Sequence, residues 1–378
     1  MKDKKTALEK AARPGFFIGI PAALAVVFLY AACTTPVDFE DERVRIEVTG
    51  SISENTTWTT GNDYLVKGTV TVEENALLTI QPDVRVIFES DSIGNWGKLL
   101  IYGGIHADGG DSTTVILFEA VSTSDGFGVE IQETGMTVLI RYCEFRQLLY
   151  GLRFYRQDVH IRNCIFKSCK QGLSITRGES LSVKYSSFID NEYGIKTYAC
   201  PEISDSTIKI TRNTFVDNFN TAIELNNQSN GYVTDNSILG GKNGFSCFDK
   251  SKADLMNNNF ENEKVSVFFG GLYPIAKASG NIIRNNFFSG QIAIRIFKSD
   301  VKVNYNNIFN YSVIKLRIEQ YGIFMDIDAK NNWWGVVDTT QINQMITDVH
   351  DNETYNNGTV HYIPFELNEI SDCGVRAN

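Results

Sequence analysis

The chain has 378 residues, 43% of them hydrophobic and only seven of them proline, which suffices for two ordinary domains or one elongated solenoid. Its formal charge is −10, and because residues 1–32 carry five Lys/Arg against two Asp/Glu, the remainder stands at −13. A surface this acidic repels nucleic acid and slows the approach of strongly polyanionic polysaccharides.

At the N-terminus, Lys2, Lys4, Lys5, Lys10 and Arg13 precede an uncharged apolar run from Phe16 to Ala32. The run is short for a bilayer span of ~20 residues and ends in small residues, the order of a secretory leader. Leu29-Tyr30-Ala31-Ala32-Cys33 resembles the lipobox of bacterial lipoproteins, with Tyr30 where an aliphatic residue is usual. The resemblance implies that residues 1–33 form a signal peptide with a cysteine to be acylated, Cys33 becoming the new N-terminus and the membrane anchor. Thr34, rather than Asp, after that cysteine implies an outer-membrane destination in a Gram-negative cell. An uncleaved signal anchor is the alternative, and both readings place the body outside the cytoplasm. Residues 34–64, with Asp38, Glu40, Asp41 and Glu42 near their start, read as a solvated tether and entry segment.

Period-two alternation begins next. Val70, Val72, Leu78, Ile80, Val84, Val86 and Phe88 keep it, as do Leu99, Ile101, Gly103, Ile105 and Ala107. From Val138 a degenerate repeat takes over: an apolar-x-apolar strand, two residues, a small polar residue, one residue, then an aromatic. The small polar column reads Cys143, Cys164, Ser186, Asn213, Asn236, Asn258, Asn286, Asn306 and Asn332. Two places on stand Phe145, Phe166, Phe188, Phe215, Ile238, Phe260, Phe288, Ile308 and Trp334. A second strand follows each aromatic, opened by Gly151, Gly172 and Gly194, with glycine read as the tight turn. The period varies from 20 to 28 residues, which fits a coil of three strands per turn. Leucine-rich repeats need a leucine frame that is absent, and a left-handed hexapeptide helix holds a stricter period. The predicted fold is all-β: a right-handed parallel β-helix over residues 65–335, with a C-terminal cap and tail over 336–378. Stacked coils bring equivalent residues into ladders, so the asparagines predict a buried amide ladder and the phenylalanines a ring stack. Cys143, Cys164, Cys169, Cys200, Cys247 and Cys373 show no CxxC spacing and no histidine partners, so they read as buried free thiols with no metal site.

Gly68-Thr69-Val70-Thr71-Val72 through Leu78-Thr79-Ile80-Gln81-Pro82 resembles the opening coil of bacterial right-handed β-helix proteins of the pectate-lyase-like superfamily. Asn331-Asn332-Trp333-Trp334-Gly335 resembles the closing motif of many of them, and the tail through Val360-His361-Tyr362-Ile363-Pro364 their C-terminal segment. The resemblance spans about residues 65 to 366. It implies the fold and leaves the activity open, because this fold carries lyases, hydrolases, adhesins and proteins without known activity.

The catalytic strings of polygalacturonase-like hydrolases (Asn-Thr-Asp, Asp-Asp, Gly-His-Gly, Arg-Ile-Lys) do not occur. The four histidines are scattered, and His160, the one inside the repeat, falls on an outward strand position. Asp190 and Asp217 occupy equivalent places on adjacent coils, ~5 Å apart, near the separation of a retaining glycosidase pair. A calcium ion bridging them is a second chemical use; otherwise they are turn residues bonding local backbone, the preferred reading. Two long coils carry extra residues around Cys200–Ser206 and Gly270–Gly280, at one phase, about three coils or ~14 Å apart. Between them Lys209, Tyr232 and Asp254 line up on outward positions as a candidate glycan site, an aromatic face flanked by charges. The leading expectation is an exported, membrane-tethered, non-catalytic β-helix that binds or presents glycans and needs no cofactor. A polysaccharide lyase or glycoside hydrolase with an unrecognised site is the second, and a purely structural or adhesive surface protein the third.

Overall fold

The computed structural model describes residues 43–122, 126–178, 180–201, 208–271, 276–319, 326–351 and 358–376. Cys33, the leader, most of the long-coil insertion at Cys200–Ser206 and part of that at Gly270–Gly280 lie outside the described residues.

The described chain is a right-handed parallel β-helix. Each coil contributes a first, a second and a third strand, as in Val159–Arg162, Ile165–Lys167 and Gln171–Thr176. Every strand pairs in parallel with its equivalent one coil away. First strands form an 11-stranded sheet, while second and third strands join a 20-stranded sheet. Parallel pairing begins at Val44, where Val44–Ile52 lies against Asn62–Val72.

Alternation along each strand sends one set of side chains into a continuous core. Phe118, Phe145, Phe166, Phe188 and Phe215 stack at centroid spacings of 4.7, 5.0, 4.8 and 4.8 Å, nearly coplanar. Ring pairs of this kind contribute about 0.5–1.5 kcal/mol each beyond the area they bury. Ile238 interrupts the column, and Phe260 and Phe287 resume it at 5.0 Å.

The amide ladder is present at the corner between first and second strands. The N–H of Asn213 donates to Asn236 Oδ1 at 2.9 Å, that of Asn236 to Asn258 Oδ1 at 2.9 Å, and that of Asn258 to Asn285 Oδ1 at 2.9 Å. Each Nδ2 also donates back to a carbonyl of an earlier first strand, Asn236 to Ile210 O at 2.9 Å. Ser186 and Cys164 continue the column with smaller groups.

Two sequence expectations need correction. The ladder residue of the late coil is Asn285 rather than Asn286, and the stacked ring is Phe287 rather than Phe288. The string Asn285-Asn286-Phe287-Phe288 fits the repeat in either register, and backbone pairing of Asn259 with Asn286 decides it. Gly151, Gly172 and Gly194 do not make the turns. A Cβ on Gly194 would stand 2.5 Å from the Ala222 carbonyl of the next coil and 3.0 Å from the Phe215 ring, so close interior packing demands the small residue. The bend itself falls on left-handed residues upstream: Gln147, Ser168, Asp190 and Asp217, with φ of 50–56°. At the last full coil the glycine column takes Lys315 instead, whose buried Nζ bonds the carbonyls of Ile308 and Trp334 and plugs the interior. Burial lowers that amine to about 8.

A short helix, Thr339–Gln344, sits over this end with Ile342 buried and Asp338 capping it through the Gln341 N–H. The tail then runs back along the ladder corner against successive coils. Ile370 exchanges two hydrogen bonds with the Asn307 side chain, at 2.8 and 2.9 Å. The Gly374 N–H donates to Arg284 O, and Arg376 forks onto the buried Asp235 carboxylate with two contacts of 2.8 Å.

Candidate functional site

Strand register on the first-strand sheet places Lys209 beside Tyr232 and Tyr232 beside Asp254, one coil apart each. All three stand on outward positions between buried core residues. Lys209 is exposed and Tyr232 is 44% exposed. Asp254 is already engaged: its Oδ1 accepts from Asn281 Nδ2 at 2.7 Å and from the Asn281 N–H at 3.2 Å. The sequence line therefore forms, with one of its three polar ends partly committed.

The same face is basic further toward the N-terminus. Arg141, Arg162 and Lys184 follow one another in register, with His160 and Ser182 in the neighbouring outward column. They line a shallow cleft of about 270 Å³. Arg141 is paired with Asp108, Nε to Oδ2 at 2.6 Å. Tyr185 at the adjoining corner accepts from Arg212 Nη1 at 3.0 Å and lies 5.1 Å under the Arg162 guanidinium, and the Arg212 hydrogen bond lowers its phenol from the usual range.

Asp190 and Asp217 occupy the equivalent corner positions predicted for them. Their N–H groups donate to Val216 O at 3.0 Å and Leu239 O at 2.8 Å, which locks both into the left-handed bend. Asn191 and Asn218, the next residues, are buried in a second amide ladder, Asn191 Nδ2 to Asn218 Oδ1 at 3.0 Å. The bends thus account for the backbone of Asp190 and Asp217, and the ladder for the amides of Asn191 and Asn218. Among the described residues no three His, Cys, Asp or Glu side chains converge to hold a metal ion. Cys143, Cys164, Cys169, Cys200 and Cys247 are free and buried, and burial pushes the Cys169 thiol up to about 12.

Two features escaped the sequence. At one irregular corner the buried Glu263 accepts from Ser266 Oγ at 2.7 Å and from the Glu261 N–H at 2.9 Å, and Tyr311 Oη lies 2.8 Å from Ser266 Oγ. Burial raises the Glu263 carboxyl to about 8 and, with the nearby Glu263 charge, raises the Tyr311 phenol. The second is the outward face of the third strands. Charged pairs run along it: Lys98 and Arg153 share Glu130 at 3.2 and 3.5 Å, Lys196 meets Glu224 at 3.2 Å, and Arg295 and Arg317 share Glu319 at 2.7 Å each. The outward column at the strand end reads Tyr155, Thr176, Tyr198, Asn226, Phe248, Gly270, Phe297, Glu319. Aligning outward rather than inward residues of successive repeats is the signal that would have found it.

The chain belongs to the right-handed β-helix region family, whose description matches residues 64–200 and 103–265. No curated protein matches it in sequence. Among solved structures, the periplasmic alginate epimerase AlgG, in an alanine mutant, is similar over 81% of this chain and 77% of that one, with a TM-score of 0.38 and 11% identity. A likeness of that size carries no inference about chemistry.

Proposed function

We propose that the protein is an exported β-helix, anchored to the outer membrane through lipid on Cys33, that binds glycans at the cell surface without cleaving them. The observation that carries the reading is the line Lys209–Tyr232–Asp254, an exposed ring between a base and an acid on an open parallel sheet. A tyrosine face stacks on the apolar face of a sugar while the flanking groups bond its hydroxyls. Asp190 and Asp217 are read as bend residues, their backbone N–H groups bonded to Val216 O and Leu239 O.

The test is a glycan-binding screen with the wild-type chain and Tyr232→Ala, scored also for released oligosaccharides. Binding should fall about tenfold, ~1.4 kcal/mol, in the variant with no products from either protein. Unchanged binding by Tyr232→Ala removes this line as the site, and product formation by the wild type removes the non-catalytic reading. Anchoring is tested separately: Cys33→Ala should abolish labelling by a palmitate analogue, and equal labelling of the mutant ends the lipoprotein assignment.

A further inference from the structure

The outward column at the edge of the third-strand sheet alternates with a period of two coils. Tyr155, Tyr198, Phe248 and Phe297 are aromatic, and the residues between them, Thr176, Asn226 and Gly270, are small or polar. Strands in adjacent coils stand ~4.8 Å apart, so the rings recur every ~9.6 Å. The interior does not impose this rhythm. The inward residues just before the column are Phe154, Ile175, Thr197, Leu225, Cys247, Phe269 and Ile296, which show no two-coil alternation. An outward pattern that packing does not require points to something outside the coil.

The rings are braced from the side. Arg177 Nη1 donates to Tyr155 Oη at 3.0 Å, and the Arg156 guanidinium lies 5.7 Å from that ring. Phe268 meets Phe248 edge-on at 5.2 Å and 88°, and the Lys298 amine stands 5.2 Å from the Phe297 ring. Tyr198, in the middle of the row, is 48% exposed. Beside the rings, Lys98 and Arg153 share Glu130 and Lys196 meets Glu224, while Arg295 and Arg317 share Glu319, which follows Phe297 in the row itself. That border offers hydrogen-bonding groups to the hydroxyls of a sugar.

We infer that this edge is a rail for an extended, 1,4-linked β-glycan lying along the solenoid axis. In a flat twofold ribbon successive pyranose rings turn over, so every second sugar offers the same apolar face to the same side. A ring advances such a chain by about one coil height, so aromatic platforms on alternate coils meet alternate sugars in phase. Thr176, Asn226 and Gly270 leave room for the sugars that face away. The inference concerns a face different from that of Tyr232 and does not depend on that line or on the anchor.

The experiment is calorimetric titration of the full chain with β-1,4-linked gluco-, manno- and N-acetylglucosamine hexasaccharides. The coiled α-1,4 glucose hexamer serves as the contrast. At least one flat neutral hexamer should bind, and its trimer should bind at least tenfold more weakly because it spans fewer platforms. Tyr198→Ala should weaken the hexamer about tenfold at an unchanged melting temperature, and Tyr198→Phe should restore it. The rail is overturned if no flat neutral hexamer binds, if Tyr198→Ala binds as the wild type does, or if the α-linked hexamer binds equally well. Loss with Tyr232→Ala alone would remove the rail while leaving the reading of the first-strand sheet standing.

Discussion

The two edges of a coil use their side chains in opposite ways. At the ladder corner Asn213, Asn236, Asn258, Asn285 and Asn306 are buried, and each amide meets the coil before and the coil after. At the far edge of the third strand Tyr155, Tyr198, Phe248 and Phe297 point outward and repeat at twice the interval. A residue that serves the fold recurs with the period of the fold. A residue that recurs with another period answers to a different repeat, and that contrast separates scaffold from surface in a molecule built of near-identical coils.

The sharpest way to break the contrast is at the ladder. Asn236→Leu removes the acceptor used by the N–H and Nδ2 of Asn213, and the donor used by Ile210 O and Thr234 O. Two buried donors left unpaired at about 1–3 kcal/mol each predict a loss of roughly 2–6 kcal/mol in chemical denaturation. A loss below 1 kcal/mol would mean that the ladder is ornamental.

Glu263 gives the next largest effect. Its folded carboxyl titrates at about 8 against an ordinary 4.5, so the folded state holds a proton that the unfolded state releases. Stability from this group is complete below pH 4.5 and is lost as pH rises toward 8, by on the order of a few kcal/mol. Glu263→Gln keeps an acceptor for Ser266 and should flatten that slope; melting curves at pH 5 and pH 8 that differ equally in both proteins would refute it.

The smallest effect belongs to the tail. Arg376→Ala should cost about 1 kcal/mol or less, because Arg376 is 60% exposed although its partner Asp235 is 3% exposed. Amide exchange should nevertheless quicken from residue 370 onward, and unchanged exchange would show that the fork does not hold the tail.

Much of the interior was legible because its spacing is short and local. The interval from first strand to Asn to Phe never changes, whatever length the corners take, so Asn213 and Phe215 identify a coil by themselves. The slip at Asn286 arose where a doublet satisfied the pattern twice. The glycines misled because their small size is needed inside, against Phe166 and Phe215, while the bends fall on Ser168, Asp190 and Asp217. Lys209, Tyr232 and Asp254 were legible as neighbours because they sit at fixed phase in consecutive first strands. The aromatic rail was not, because its period spans two coils and is crossed by corners of unequal length. Glu263 was hidden for another reason: Ser266, which donates to its carboxylate, also meets Tyr311, 45 residues beyond Ser266 in a strand two coils on.

The tail also changes how the solenoid assembles. A stack of coils behaves as a one-dimensional array in which each unit feels only its neighbours, so its ends fray independently of its middle. Arg376 on Asp235 closes a span of 141 residues, and the contacts of Ile370, Gly374 and Arg376 tie several late coils to one another. These are couplings beyond nearest neighbours. They can form only after the coils they cross are stacked, and the entropy of so long a closure places them late on the folding path. The C-terminal coils should therefore unfold as one cooperative block, with release of the tail as its first event.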